Sequence, residues 1–312
     1  MKRDILKYDK KVVFAVPGSK VFISRYYRNK PNSFLNISLT GRHCELLCRH
    51  CRAMLLEDMV DINTFGNPFD NAENRLLKIL KKFGREIVKG MLLSGGFDKN
   101  GILPLDDKII NEIRELKSQT KNQIKIFMHL GFVEKYTVNA LYGCGVDGVL
   151  VNVISDKDAI KKTYNLKNCS PDSFYKNIKV LKNAGLKVAP HIIIGLNDGK
   201  ISGEFNSIEQ LSSLGADAIV FAIVKKISKH FDFVDPDIKV NEIIKLFDYT
   251  KKLVPDTLIS LGCARPSGFS TEKLEIELLK RGIDVISFPS DAAIEFAEKN
   301  NFKFSFLEQC CT

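Results

Sequence analysis

The chain contains no run of about 18 or more uncharged apolar residues, the length a bilayer-spanning helix requires, so no transmembrane helix is expected. Its first residues, MKRDILKYDKKVV, open on charge and have no apolar stretch behind them. That excludes a secretory leader and makes cytoplasmic placement the expectation. No stretch of five or more like charges occurs either. The 47 basic and 37 acidic residues give a net charge of +10, spread as pairs such as Lys81/Lys82, Lys161/Lys162, Lys225/Lys226 and Lys251/Lys252. This distribution reads as a solvated lysine-rich surface or as attraction for an acidic partner. No recognisable nucleic-acid module accompanies it, so neither nucleic acid nor membrane is an expected partner. A Pro/Gly/Ser-rich linker is also missing, and nothing splits the 312 residues into separate units.

What is present is a regular alternation. Short apolar runs rich in Val and Ile occur at 34–40, 88–94, 123–130, 146–154, 186–194, 216–224, 256–263 and 283–288. Many lack strict alternation, as expected of strands buried on both faces. Between them lie stretches of helical period at 73–83, 106–118, 171–185, 207–215, 241–253, 271–282 and 291–300, three of which stop at Gly185, Gly215 and Gly282. Eight strands alternating with helices predict an α/β fold, a (β/α)₈ TIM-like barrel over 33–300, with an N-terminal extension at 1–32 and a C-terminal tail at 301–312. In such a barrel the chemistry sits where the strands end.

Immediately after the first of these strands comes TGRHCELLCRHCRAM, with Cys44, Cys48 and Cys51 in a C-x₃-C-x₂-C set. Eight cysteines in a reducing compartment point to metal, reactivity or packing rather than to a disulfide framework. Three thiolates within eight residues can hold three corners of a cubane iron–sulfur cluster and leave the fourth iron open. The alternative is a structural zinc site completed by His43 or His50, but no second ligand pair follows at a matching distance.

This loop, placed after the first barrel strand, resembles that of the radical S-adenosylmethionine (radical SAM) superfamily. The resemblance implies that the open iron binds the amino and carboxylate groups of S-adenosylmethionine, and that electron transfer cleaves it to methionine and a 5′-deoxyadenosyl radical. The family's aromatic residue before the third cysteine corresponds to His50. LLSGGFD resembles the family's Gly-Gly-Glu segment at Gly95 and Gly96, with Phe97 in place of the Glu and Asp98 beside it. Glycine belongs where backbone must approach a ligand closely. VNVISDKDAIKKTYNL sits where relatives bind the ribose and carboxylate, making Asn152, Ser155 and Asp156 candidates. Ser155 and Asp156 are equally suited to capping the following helix. PHIIIGL resembles the strand that backs onto adenine, with Gly195 allowing close approach. His129, at the end of the strand at 123–130, should face the mouth and is either structural or catalytic.

Three further cysteines lie far apart: Cys263 in LGCARPSG, and Cys310 and Cys311 in the terminal EQCCT. Folded over the mouth, they would suffice for an auxiliary iron–sulfur cluster, with Arg265, Ser267, Ser270 or a substrate as last ligand. Otherwise Cys263 is a buried strand residue and the tail pair is exposed or redox-active. Cys144 and Cys169 read as packing residues. An accessory cluster over a full barrel resembles the sulfur-inserting branch of biotin and lipoyl synthases. Here VISDKDAIKKTYNL, PHIIIGL, LGCARPSG and the terminal pair look closest to the archaeal two-component lipoate synthases. The N-terminal cysteine triplet and C-terminal serine motif of the single-protein lipoyl synthase are missing. The resemblance implies sulfur insertion into an octanoyl chain on a lysine of a carrier protein or peptide, a homologous radical SAM partner, and an electron donor such as ferredoxin. Another radical SAM enzyme, biotin synthase-like or hydrogenase-maturase-like, is the alternative, and a non-catalytic zinc or nucleic-acid-binding protein is the alternative outside that class.

Overall fold

The computed structural model describes residues 11–66, 74–225 and 239–309. All eight expected strands form: β2 (Phe34–Ser38), β4 (Gly90–Ser94), β5 (Lys125–Leu130), β6 (Gly148–Val153), β7 (Val188–Ile194), β8 (Ala218–Ile223), β9 (Leu258–Leu261) and β10 (Val285–Ser287). Three more join them: β1 (Lys11–Ala15), β3 (Val60–Asp61) and β11 (Lys303–Leu307). The eleven run in the order β11-β1-β10-β9-β8-β7-β6-β5-β4-β2-β3, and every pairing is parallel. Among the described residues β3 and β11 do not pair, so the sheet is an open half-barrel rather than a closed ring. Segment 1–32 thus contributes β1 and segment 301–312 contributes β11, both to the same sheet. The edge strand β11 turns Phe304 and Phe306 onto Phe14 of β1, with ring centroids 5.4 and 5.6 Å apart, while Tyr27 stacks on Phe306 at 4.3 Å.

Among the described residues eight α-helices cover the sheet: α1 (Arg75–Phe83), α2 (Asp107–Gln119), α3 (Lys135–Cys144), α4 (Pro171–Asn183), α5 (Glu204–Leu214), α6 (Val240–Leu253), α7 (Phe269–Lys280) and α8 (Asp291–Lys299). Local chemistry explains their starts. Asn74, Asp106 and Ser290 each accept a backbone N–H three residues on, and Pro171 sits at the first turn of α4 behind Ser170. The three expected glycine stops have φ of 83° (Gly185), 63° (Gly215) and 76° (Gly282), left-handed geometry that a Cβ disfavours. Helix α3 was not expected: KYTVNALYGC is weakly amphipathic, and Glu134 before it makes no side-chain cap. Cys144 ends that helix, buried, with its thiol on Leu141 O. No helix among the described residues is long and apolar enough to cross a membrane.

A repeated device fixes the strand starts. Gly145-Val146-Asp147, Gly215-Ala216-Asp217 and Gly282-Ile283-Asp284 each turn out of a helix into a strand. Each aspartate accepts the N–H of the neighbouring strand's beginning: Asp147 from Ile126 at 2.8 Å, Asp217 from Val188 at 3.0 Å, Asp284 from Ile259 at 2.9 Å. Each is also met by a lysine: Lys117 at 2.6 Å, Lys182 at 3.4 Å, Lys251 at 2.9 Å. These clips lie at the N-terminal rim, which serves stability and leaves the opposite rim for chemistry. Burial raises the Asp147 pKa, but Lys117, the Ile126 N–H and Lys125 outweigh it and hold the carboxyl below its usual range.

The clips differ in burial, and that sets their energies. The Lys117 and Asp147 side chains are 7% and 18% exposed, those of Lys182 and Asp217 26% and 48%. Replacing Asp147 by Ala strands a buried ammonium, at about 3 kcal/mol. Replacing Asp217 by Ala loses a largely solvated pair and one strand hydrogen bond, at about 1–2 kcal/mol. Because the folded-state pKa of Asp147 is depressed, its contribution is complete above the unfolded pKa and fades as pH falls through the folded one. Denaturant unfolding at neutral pH should therefore rank Asp147→Ala below Asp217→Ala, with the gap narrowing in acid. Equal losses at neutral pH would contradict this reading.

Candidate functional site

The cysteine loop leaves the C-terminal end of β2 and is fixed on two sides. On one side it lies along the turn after β4. Leu39 N donates to Ser94 O at 2.7 Å, Gly96 N to Thr40 Oγ1 at 2.7 Å, and Glu45 N to Phe97 O at 2.8 Å. Thr40 Oγ1 in turn donates to His43 O at 3.0 Å. Phe97 N–H points at Cys44 Sγ, 3.4 Å away. The contact is so close that a Cβ on Gly96 would lie 1.8 Å from His43 O and 2.5 Å from Cys44 Cβ. The neighbour that demands glycine at 96 is therefore the cysteine loop itself. Gly95 is similarly confined, 2.9 Å from Thr40 Oγ1.

On the other side the loop is held by the segment following β6. Arg49 N donates to Thr163 O at 2.9 Å, Asn165 Nδ2 to Leu46 O at 3.1 Å, and Cys48 Sγ to Tyr164 O at 3.6 Å. Arg49 also pairs with Asp198 at 3.3 Å. Within the loop Leu47, Arg52 and Ala53 have φ of 42°, 44° and 64°. Non-glycine residues in this region are sparse and are retained where the surroundings over-determine them, often at functional sites.

The three thiols sit in distinct environments. Cys48 is buried, and Cys44 and Cys51 are half-buried. The neighbouring Cys51 sulfur, as a hydrogen-bond partner, and then burial hold the Cys48 thiol well above its usual pKa. The same hydrogen bond, followed by one from His50, brings Cys51 down to about 4 against opposing burial. Among the described residues no three His, Cys, Asp or Glu side chains converge to hold a single metal ion.

The donor set fits an iron–sulfur cluster. Three thiols lie within one loop, one already favours its thiolate, and Cys44 receives a backbone N–H. His50 Nδ1 is buried without a partner, and its ring lies 5.2 Å from that of Tyr164.

Tyr164 belongs to a polar bridge along the strand ends. Asn152 of β6 donates from Nδ2 to Tyr164 Oη at 2.7 Å, and its Oδ1 lies 3.3 Å from His129 Nε2 of β5. His191 of β7 pairs in register with Asn152, and its ring lies 5.9 Å from that of His129. Burial lowers the His129 pKa, so its ring is neutral at physiological pH. Burial raises that of Tyr164 well above the usual value, and the nearby cysteines add to this. Cys44, Cys48, Cys51, His50, Gly95, Gly96, Asn152 and His129 thus form one neighbourhood.

The remaining candidates form a second group. Ser155 Oγ is hydrogen-bonded to the Tyr175 hydroxyl and to Ser207 Oγ. Asp156 accepts from Ala159 N at 2.7 Å and from Asn197 Nδ2 at 3.2 Å, the first of these being a capping contact. Gly195, at φ 81°, donates its N–H to the buried Glu204 carboxylate at 2.8 Å. Asp98 accepts from Asn100 N and Ile102 N, shaping the turn after Gly96-Phe97. Cys263 is exposed in the loop after β9. Arg265 beside it is buried and donates to Gly262 O, Glu275 and Phe288 O, a structural clamp, while Ser267 in that loop and Ser270 in the first turn of α7 are exposed. Cys310 and Cys311 lie outside the described residues. Thr40, Tyr164 and His191 were not singled out from sequence: a lone Thr, Tyr or His in an apolar-periodic segment carries no spacing signal.

No family model and no curated protein matches the chain. Solved structures do. Methylornithine synthase PylB is 14% identical, with TM-score 0.55, and the match covers 87% of this chain and 72% of PylB. The FeFe-hydrogenase maturase HydG from Carboxydothermus hydrogenoformans is 14% identical, with TM-score 0.58, over 88% of this chain and 67% of HydG. SuiB from Streptococcus suis, bound to S-adenosylmethionine, is 16% identical, with TM-score 0.53, over 82% of this chain and 54% of SuiB. At these identities the likeness is one of fold: this chain has the parallel α/β half-barrel of those enzymes.

Two outcomes follow from the loop. In metal-free protein at about pH 6, iodoacetamide should modify Cys51 ahead of Cys48, because thiolate is the reactive form and of these two Cys51 is the one held low; equal rates would contradict that difference. Gly96→Ala should push the loop off the turn, costing about 1–3 kcal/mol and most of the bound iron after anaerobic reconstitution. Wild-type iron content in that variant would show the contact to be unimportant.

Proposed function

We propose that the chain is a radical SAM enzyme. The observation that carries this reading is the C-x₃-C-x₂-C loop seated on Gly95-Gly96 at the C-terminal rim of a parallel half-barrel. The fold is shared with SuiB, a structure that holds S-adenosylmethionine. Cys44, Cys48 and Cys51 would hold a [4Fe-4S] cluster, which when bound supplies the electron that cleaves S-adenosylmethionine to a carbon radical. The chain's own residues position and insulate. Phe97 N–H stabilises charge on Cys44 sulfur, His50 does so for Cys51, and the neutral bridge His129–Asn152–Tyr164 lines the interior without adding charge. Gly95 and Gly96, with Asp98, Asn152, Ser155, Asp156 and Gly195, are the residues we assign to the S-adenosylmethionine side of the site. Of these, Ser155 and Asp156 would act through backbone and shape, since their side chains already have protein partners, and Gly195 through shape alone, its N–H and carbonyl being bonded to Glu204 and Gly199.

The finer reading is sulfur insertion, as one component of a two-protein lipoate synthase acting on an octanoyl chain carried by a lysine. It requires an auxiliary cluster on Cys263, Cys310 and Cys311. Topology supports that arrangement. β9, β10, β1 and β11 are parallel neighbours, so the chain leaving Leu307 and the loop holding Cys263 emerge on the same rim. They are three strand spacings apart, about 14 Å. Glu308 anchors the exit by accepting from Tyr27 Oη at 2.8 Å and Lys30 N at 3.0 Å. An acidic carrier and a ferredoxin-type donor suit the net charge of +10. A radical SAM enzyme with another substrate would share the first cluster and lack the second.

Cys48→Ala should abolish 5′-deoxyadenosine formation under strong reductant while the barrel stays folded; measurable product would refute the radical reading. The Cys310→Ala/Cys311→Ala chain should still cleave S-adenosylmethionine but bind about four irons rather than about eight. It should form no carbon–sulfur bond on an octanoyl-lysine peptide when any required partner is supplied. Unchanged iron content and sulfur incorporation would leave the radical assignment standing and remove the sulfur-insertion reading.

A further inference from the structure

The segment between β1 and β2, residues 16–33, is fastened along its length. The buried Asn29 donates from Nδ2 to Val16 O at 3.1 Å, Pro17 O at 3.2 Å and Lys20 O at 2.8 Å, and its Oδ1 accepts from Phe22 N at 2.9 Å. Gly18 lies so close to the returning chain that a Cβ there would sit 2.4 Å from Lys30 O. Three contacts set this strap beyond the C-terminal ends of β10, β1 and β11. Phe22 meets Phe288 at 6.1 Å between ring centroids, Arg25 meets Asp291 at the start of α8 at 3.3 Å, and Tyr27 stacks on Phe306. Phe288 is also the link to the loop that bears Cys263. Its carbonyl accepts from Arg265 at 3.0 Å, its N–H donates to Ala15 O at 2.8 Å, and its φ of 46° is one that a bulky residue keeps only where its surroundings over-determine it.

The outward side of the strap has a charge and an apolar centre of its own. PGSKVFISRYYRNKPNS, residues 17–33, contains Lys20, Arg25, Arg28 and Lys30 and no acidic residue, in a chain with 37 of them. All four cations are exposed. Among the described residues Lys20, Arg28 and Lys30 form no ion pair, and that of Arg25 is open to solvent and weak. Between Lys20 and Arg25 exposure alternates as in an extended chain, with Phe22 and Ser24 turned inward and Val21 and Ile23 outward. Val21 and Ile23 are each 65% exposed, the highest value among the large apolar side chains described. Single exposed apolar residues are ordinary. Two together, on a fixed backbone and framed by cations, have the apolar centre and polar rim of an interface.

We propose that the strap is the docking surface for an acidic protein that delivers the substrate to the C-terminal rim. Val21 and Ile23 take the centre of the contact, and Lys20, Arg25, Arg28 and Lys30 steer and orient the partner. Charge selects the partner's sign: the cationic frame attracts an acidic surface, and a second copy of this chain, at +10, is repelled. Position selects its role. The strap adjoins the Cys263 loop through Phe288, whereas the cysteine loop, which an electron donor has to approach, is fastened to the turn after β4 and the segment after β6. The inference rests on the proposed function in taking the partner to be the carrier of the substrate group; the surface itself is read from charge, exposure and packing.

The probe is an acidic lipoate-carrier domain with its acceptor lysine unmodified, so that docking is read without the substrate group. Its affinity for the full, iron-loaded chain is measured by fluorescence anisotropy at about 50 and about 200 mM salt, between which binding should weaken severalfold as exposed charges are screened. Lys20→Glu/Arg28→Glu should raise Kd at least about tenfold at low salt and flatten the salt dependence. Val21→Ser/Ile23→Ser should raise Kd about tenfold and leave the salt dependence in place. Both pairs are exposed, so iron content and thermal unfolding should stay at wild-type values. Failure of the wild-type chain to bind, or wild-type affinity in both variants, would overturn the proposal. So would a charge-reversed variant that keeps its carrier affinity and loses cluster reduction by ferredoxin, which would make the strap the donor's site. A dimer of this chain that Val21→Ser/Ile23→Ser abolishes would overturn it as well. S-adenosylmethionine cleavage by the wild-type chain with dithionite, measured on the same sample, separates the two claims: docking without cleavage leaves the surface and removes the radical reading, and cleavage without docking removes the surface alone.

Discussion

The organising constraint of the molecule is the contact between Gly96 and the backbone of His43 and Cys44. It admits no side chain, and through it the turn after β4 sets the height and orientation of the loop that bears the three thiols. The Phe97 N–H reaches Cys44 sulfur because the contact is this close. Tyr164 O reaches Cys48 from the opposite side, so the loop is clamped between two neighbouring parts of the same rim. Strained φ values at Leu47, Arg52 and Ala53 are tolerable because these clamps over-determine the path. Cluster binding, in this account, is preorganised by backbone packing rather than by side-chain flexibility.

The rest of the fold divides labour between its two rims. At the N-terminal rim the Asp147, Asp217 and Asp284 clips lock alternate strand starts to the helices before them. At the C-terminal rim the loops are polar, glycine-bearing and open. The half-barrel leaves its lumen flanked by small residues such as Ala189, Ala218 and Val220, and by His129, Asn152 and His191 at the strand ends. Register sets Asn152 beside His191 and His191 beside Val220, which puts these side chains on one face, and the common strand direction brings the strand ends to one rim.

Much of this was legible in the sequence. The eight strands could be read because strands covered on both faces are near-continuous runs of Val, Ile and Leu, as in β8, all six residues of which are buried. β1 escaped notice because its short apolar run sits in a lysine-rich N-terminal segment, and β11 because it is an edge strand that alternates between half-buried and exposed positions. Helix α3 escaped because its β-branched, weakly capped sequence has little helical signature; packing against the sheet overrides local preference there. The Gly-x-Asp repeat was present as letters, but its meaning depends on which strand lies beside which. In the site, cysteine spacing and Gly-Gly were readable because few structures need them. Their mutual contact was not, since the glycines serve the loop as well as any ligand. The roles of Tyr164, Asn152 and His129 depend on register between strands, and one-dimensional spacing does not carry that.

The central claim is that the clamped loop holds a redox-active cluster that meets S-adenosylmethionine. The most direct test is electron paramagnetic resonance of the anaerobically reconstituted, dithionite-reduced wild-type chain, recorded with and without S-adenosylmethionine. The account predicts the signal of a reduced [4Fe-4S] cluster that changes when S-adenosylmethionine is added, because one iron is open to it. A colourless, zinc-containing protein, or an iron–sulfur signal indifferent to S-adenosylmethionine, would contradict it.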